Sequence, residues 1–146
     1  IRKKLSKSEY HSLLAEFSDF VIDKVVKCKE ISGAIYLIKQ LKRMNKNTII
    51  NSATPTNELQ EILKKKNWID YFDYIYGSPN TKIENLKVLL FDKDPSNFLI
   101  LGDSHEDLKV ANNYKIDFIS VNNHNLNMPK QSINKFIKIK DFNHIL

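Results

Sequence analysis

Three polar groups in this 146-residue chain have types and spacings suited to phosphate chemistry. The first is Ser52 with Thr54, just beyond the β-branched run Thr48-Ile49-Ile50. The second is Lys82, one residue after Thr81. The third is the pair Asp103 and Asp107, four apart, following Phe98-Leu99-Ile100-Leu101-Gly102. Backbone N–H groups at a helix start point outward with partial positive charge and suit an anion, and a hydroxyl on Ser52 adds a donor. A lysine in the first turn of a helix is opposed by the helix dipole by roughly 0.3–1 kcal/mol, which is offset if it reaches an anion. Two carboxylates across a strand-to-helix turn can converge on magnesium, which takes oxygen ligands and usually only one or two carboxylates. Each group also has a plainer reading. Thr54 serves as a helix cap, Lys82 can sit on a solvated face, and an acid such as Asp107 is favourable in any first turn. Taken in order, however, they occupy three successive strand ends. Together they describe a phosphate held by a hydroxyl and an ammonium beside an oxygen-liganded cation.

The surrounding pattern explains how such groups could be positioned. Leu13, Leu14, Phe17, Phe20, Val21 and Val25 recur at steps of three and four, which predicts a helix over 6–27 with an apolar stripe. A second helix is expected from Gly33 to Met44, capped by Ser32, with Ala34, Leu37, Ile38 and Leu41 inward. From residue 47 onward, strands and helices alternate. Short apolar strands are expected at 48–50, Tyr74–Tyr76, 98–101, Asp117–Val121 and Phe136–Ile139. Between them, Thr54-Pro55 should start a helix to Lys66, with Thr54 as cap and Pro55 as first residue. Thr81 with Glu84, and Ser104 with Asp107, form capping-box patterns for two more helices, to about Phe91 and Tyr114. Residues 122–131 read as polar loop, and 142–146 as a last helical turn. Alternation of this kind implies an α/β layer fold with a mainly parallel sheet, and ligands of such sheets bind beyond the carboxyl ends of the strands.

Composition narrows the class. An apolar share of 42%, with three Gly and four Pro, supports one globular domain. The single cysteine, Cys28, rules out an intrachain disulfide and any cysteine-based zinc site. It fits a reducing compartment, so a cytoplasmic location is expected. No apolar run reaches the ~20 residues of a membrane span. The net charge is +6, but the basic residues are spread over the chain, with local runs at 2–4, 64–66 and 135–140. Without an aromatic-basic platform they read as solvated surface, and no nucleic-acid partner is expected.

On these residues the chain resembles the haloacid dehalogenase-like (HAD) superfamily, in its phosphoglycolate phosphatase-like branch. Three of that family's four motifs are matched. The second is Thr48-Ile49-Ile50-Asn51-Ser52-Ala53-Thr54-Pro55, the third Gly77-Ser78-Pro79-Asn80-Thr81-Lys82, and the fourth Leu99 to Asp107 with its Gly102-Asp103. The resemblance implies a Rossmann-like three-layer α/β core over 31–146, preceded in 1–30 by a remnant of an α-helical cap. It implies that Ser52 and Ala53 bind the transferring phosphoryl group. Lys82 would stabilise that group, and Asp103 with Asp107 would hold magnesium. The implied activity is hydrolysis of a small phosphate monoester through an aspartyl-phosphate intermediate.

The family's first motif, an Asp-x-Asp ending the first core strand, has no counterpart before residue 30. Asp19 and Asp23 lie four apart in a helical pattern, and Asp92 with Asp94 falls late in a helix or at its exit. The chain is therefore expected to lack its first strand, to be inactive alone, and to be prone to self-association through exposed sheet edges. His105 and Glu106 flank the fourth motif without an assignable role. The main alternative is a non-catalytic binding or regulatory domain of the same fold. A phosphoacceptor receiver domain fits less well, because its acid pair precedes the hydroxyl and lysine. A nucleic-acid binder would rest on net charge alone.

Overall fold

The computed structural model describes residues 6–122, 126 and 135–145, with His144 described by its backbone alone. Five helices and five strands are described: α1 (Lys7–Lys27), α2 (Ala34–Arg43), β1 (Ile49–Pro55), α3 (Thr56–Lys65), β2 (Tyr74–Ser78), α4 (Lys82–Leu89), β3 (Leu99–Gly102), α5 (His105–Tyr114), β4 (Asp117–Val121) and β5 (Phe136–Ile139). The fold is α/β and every strand pairing is parallel. The expected alternation of strand and helix is present from β1 to β4.

The strands form two sheets. β1 pairs with β2, and β3, β4 and β5 form the second in that order. One helical layer serves both. Helix α4 packs on β1 and β2, helix α5 on β3 and β4, and the two helices pack on each other. Leu86 and Leu89 of α4 join Val110 of α5 and Ile116 in an apolar cluster that reaches Ile49 in β1, Tyr76 in β2 and Ile100 in β3. A second cluster of Leu108, Ala111, Phe118 and Leu126, with Phe136 against it, seals α5 onto the larger sheet. Among the described residues, β1 and β3 each have one edge without a strand partner. At the β3 edge, Leu99 and Leu101 remain 51% and 38% exposed although their strand is wholly apolar.

Several local expectations are corrected. The strand β1 runs through Pro55, so Pro55 is the cap position and α3 starts at Thr56 rather than Pro55. Thr54 instead donates its N–H to the Ser52 hydroxyl. Helix α2 starts after Gly33, whose φ of 80° turns the chain into the helix. Ser32 does not cap it. Its carbonyl accepts from the Phe142 N–H and its hydroxyl from the Asn143 side chain. The last turn is a 3-10 turn over Phe142–His144. The largest difference is in α1. Its predicted apolar stripe is mostly exposed, with Phe17 at 64% and Phe20 at 58%, and Ile22 is the buried residue of the helix. Helix α1 meets α3, where the Ser18 hydroxyl donates to Glu58 at 2.6 Å. Periodicity reports that a helix is two-sided, but not that its apolar side is covered.

Candidate functional site

The three predicted groups lie at the carboxyl ends of β1, β2 and β3, and each is set there by a local device. Thr81 and Ser104 form the two predicted capping boxes, with Glu84 and Asp107 respectively. These caps fix where α4 and α5 begin, and so place Lys82 and Asp107 in first turns. Hydrogen bonds from the Thr81 N–H and hydroxyl hold the Glu84 carboxyl below its ordinary range.

Lys82 and Asp107 meet. The Lys82 ammonium donates to Asp107 Oδ1 at 2.6 Å, with both side chains largely shielded. This pair joins the exit of β2 to the exit of β3, so both ends share one rim. It also resolves the lysine's unfavourable place near a helix start, because a partly desolvated carboxylate more than offsets a dipole of a few tenths of a kcal/mol. The other oxygen of Asp107 accepts from the Ser104 hydroxyl at 2.6 Å and the Ser104 N–H at 3.2 Å.

Two glycines permit this closeness. A Cβ on Gly102 would lie 2.5 Å from Asp107 Cβ and 2.6 Å from its Oδ2, so only glycine lets Asp107 fold over the end of β3. A Cβ on Gly77 would strike the Thr54 carbonyl and come within 2.8 Å of the Thr56 nitrogen, where β2 passes the end of β1 and the start of α3. Ser52 lies within β1, half-buried, its hydroxyl 3.1 Å from Thr54 Oγ1. Ala53 beside it is exposed. The strand carrying Ser52 is tied to the first turn of α4 through Asn51, whose side-chain N–H donates to the Lys82 carbonyl at 2.8 Å. Asp103 is exposed at the end of β3, one residue past Gly102. His105 and Glu106 are exposed beside it.

Fit to a magnesium ion turns on acceptor capacity. A carboxylate offers about four lone-pair sites. On Asp107, Lys82 takes one at Oδ1, and Ser104 takes two at Oδ2. One remains on Oδ1, and Asp103 adds a carboxylate at the same strand end. That suits an ion needing one or two carboxylates and otherwise waters and phosphate oxygens. Among the described residues, no cluster of three or more His, Cys, Asp or Glu gathers in the manner of an all-protein metal cage.

The two other acid pairs lie away from the strand ends. Asp19 and Asp23 are on α1. Asp92 has a left-handed φ of 59° in the turn after α4, and Asp94 caps the 3-10 turn that follows by accepting from the Ser96 N–H. Neither pair ends a strand. No described helix is long and apolar enough to cross a membrane. Sequence reasoning missed Asn51 and Asn85, whose side chains join at 3.1 Å beside Lys82. An asparagine carries no periodic signal, and the partners are 34 residues apart.

Comparison with known proteins bears on the family and the fold. The family model described as haloacid dehalogenase-like hydrolase matches residues 1–121. No curated protein matches the chain. Among solved structures, a predicted phosphoglycolate phosphatase of Haemophilus somnus superposes with a TM-score of 0.75 at 19% identity, over 98% of this chain and 68% of its own. YfnB of Bacillus subtilis, a HAD hydrolase bound to magnesium, gives 0.72 at 18% identity, over 94% and 61%. The haloacid dehalogenase-like family protein SP0104 of Streptococcus pneumoniae gives 0.63 at 22% identity, over 80% and 58%. The chain thus spans roughly three-fifths to two-thirds of the length of these three structures. Matched over most of its length, the chain belongs to the haloacid dehalogenase-like hydrolase family.

Proposed function

We propose that this chain forms the phosphate-binding and metal-binding part of a magnesium-dependent phosphatase acting on a small phosphate monoester. The observation that carries the reading is the 2.6 Å contact between Lys82 and Asp107, which gathers two strand ends onto one rim beside Asp103. In this reading Ser52 Oγ and the Ala53 N–H donate to the phosphoryl oxygens, and the Lys82 ammonium offsets their charge. Such fixed donors act most strongly where water is excluded. Asp103 and Asp107 would hold magnesium, which neutralises phosphate charge when bound. Asp107 has a second task, as it holds Lys82 in place.

The nucleophile is proposed to come from a further parallel strand between β1 and β3. Among the described residues, both strands have an edge without a strand partner, and α4 and α5 already cover the two sheets as one layer. A carboxylate ending that strand would attack phosphorus in line, expel the alcohol and form an aspartyl-phosphate for water to cleave. On this reading the 146-residue chain binds phosphate but does not turn over substrate. One observation favours the alternative of a binding domain without catalysis. Among the described strands, only β3 is followed directly by a carboxylate, Asp103.

The test is release of phosphate from p-nitrophenyl phosphate and a panel of sugar and nucleoside monophosphates by the protein with any sequence preceding Ile1. Magnesium-dependent release, lowered at least about 100-fold by Asp103→Asn, is the expected result. Turnover that ignores magnesium, or survives Asp103→Asn, contradicts the metal assignment. No turnover from any substrate, together with retained phosphate binding, favours the binding domain.

A further inference from the structure

Two side-chain amides next to the site take no part in the chemistry above. Asn51 is half-buried in β1, one residue before Ser52, and Asn85 is 3% exposed in α4, three residues after Lys82. The Asn85 side-chain N–H groups donate to Asn51 Oδ1 at 3.1 Å and to the Gly77 carbonyl at 3.3 Å. Asn51 Nδ2 in turn donates to the carbonyl of Lys82 at 2.8 Å. The pair therefore touches β1, the end of β2 and the first turn of α4; β1 and α4 carry the hydroxyl and the ammonium proposed to share one phosphate.

Buried amides are costly unless paired, and apolar residues would fill a half-buried strand position and a buried helix position without that demand. Here the pairing is directional. Hydrophobic contact between α4 and β1 leaves the helix able to slide or rotate by fractions of an ångström. A hydrogen bond to a main-chain carbonyl does not, because its strength falls steeply with angle and distance. The bond chosen is to the residue whose side chain must be aimed. Lys82 is thus held twice, by its ammonium on Asp107 and by its own backbone on Asn51.

We infer that Asn51 and Asn85 are positioning residues that set the separation between the Ser52 hydroxyl and the Lys82 ammonium. The inference rests on the phosphate-site reading, and the experiment separates failure of one from failure of the other. The probe is inorganic phosphate with magnesium, titrated against the 146-residue chain by calorimetry. Asn51→Ala, Asn85→Ala and Lys82→Ala are measured singly, and each asparagine variant also on the Lys82→Ala background, with thermal unfolding recorded for all.

Asn51→Ala is expected to weaken phosphate binding about tenfold, since small misplacements of a positioned group cost factors of this order or more. On the Lys82→Ala background it should weaken binding no further. Asn85→Ala should behave alike. If that fully buried site does not tolerate alanine and the chain fails to fold, Asn51→Ala and the milder Asn51→Ser carry the test alone. Equal weakening with and without Lys82, or lowered melting temperature with unchanged phosphate affinity, overturns the positioning role while leaving the site reading intact. Phosphate binding indifferent to Lys82→Ala overturns both.

Discussion

Gly102 shows how closely the site's residues depend on one another. Its missing Cβ is the space that Asp107 Cβ and Oδ2 occupy. Gly102→Ala must therefore push Asp107 outward, and overpacking of this kind costs typically 1–3 kcal/mol. We expect a loss of about 2 kcal/mol in urea denaturation together with weakened phosphate binding, because Lys82 loses its partner. Unchanged stability and binding would mean that Asp107 has room to move without consequence. At this scale much of the site was legible in the sequence. Lys82, Asp103 and Asp107 stand where strand-end and cap spacing put them, because capping is set by residues three apart. The Lys82–Asp107 contact and the Asn51–Asn85 pair were not legible. They span 25 and 34 residues, and no local rule joins such positions.

The elements are held by caps and by one link at the base of β1. Asp73 accepts from the Lys42 ammonium at 2.6 Å and from the Thr48 N–H at 2.7 Å. It thereby ties α2 to the start of β1, while the Thr48 hydroxyl donates to the Tyr71 carbonyl. The Lys42 contact first, then the Thr48 N–H, holds the Asp73 carboxyl below its ordinary range. A carboxyl whose folded pKa is depressed contributes stability above its unfolded value of ~3.9, and loses it as pH falls from there through the lower folded value. Asp73→Asn should therefore lower stability at pH 7 and flatten the fall in stability below about pH 4. Urea midpoints from pH 7 to pH 2.5 check this, and parallel curves for variant and parent would refute it. The helix and strand positions were largely legible, since buried parallel strands read as short apolar runs. The cover of α1 was not, because burial depends on what packs against a face.

At the scale of the whole molecule, two of the open apolar surfaces among the described residues bear on association. One is the α1 face with Leu13, Leu14, Phe17 and Phe20, and the other is the β3 edge with Leu99 and Leu101. Open apolar strand edges invite association. The 146-residue chain should sediment as a concentration-dependent mixture, and Phe17→Lys with Phe20→Lys should shift it toward monomer. A strictly monomeric parent across micromolar to millimolar concentration would count against exposed association surfaces. The α/β class and the family were legible from strand-end residues, but the division of the described strands into two sheets was not, since strand pairing joins residues far apart in the sequence. The account stands most directly on whether phosphate finds one rim. Backbone amide NMR during titration with inorganic phosphate and magnesium should move the resonances of Ala53, Lys82 and Asp103 together, with one shared affinity. Shifts confined to the surface lysines at 64–66, or different affinities for the three strand ends, would contradict it.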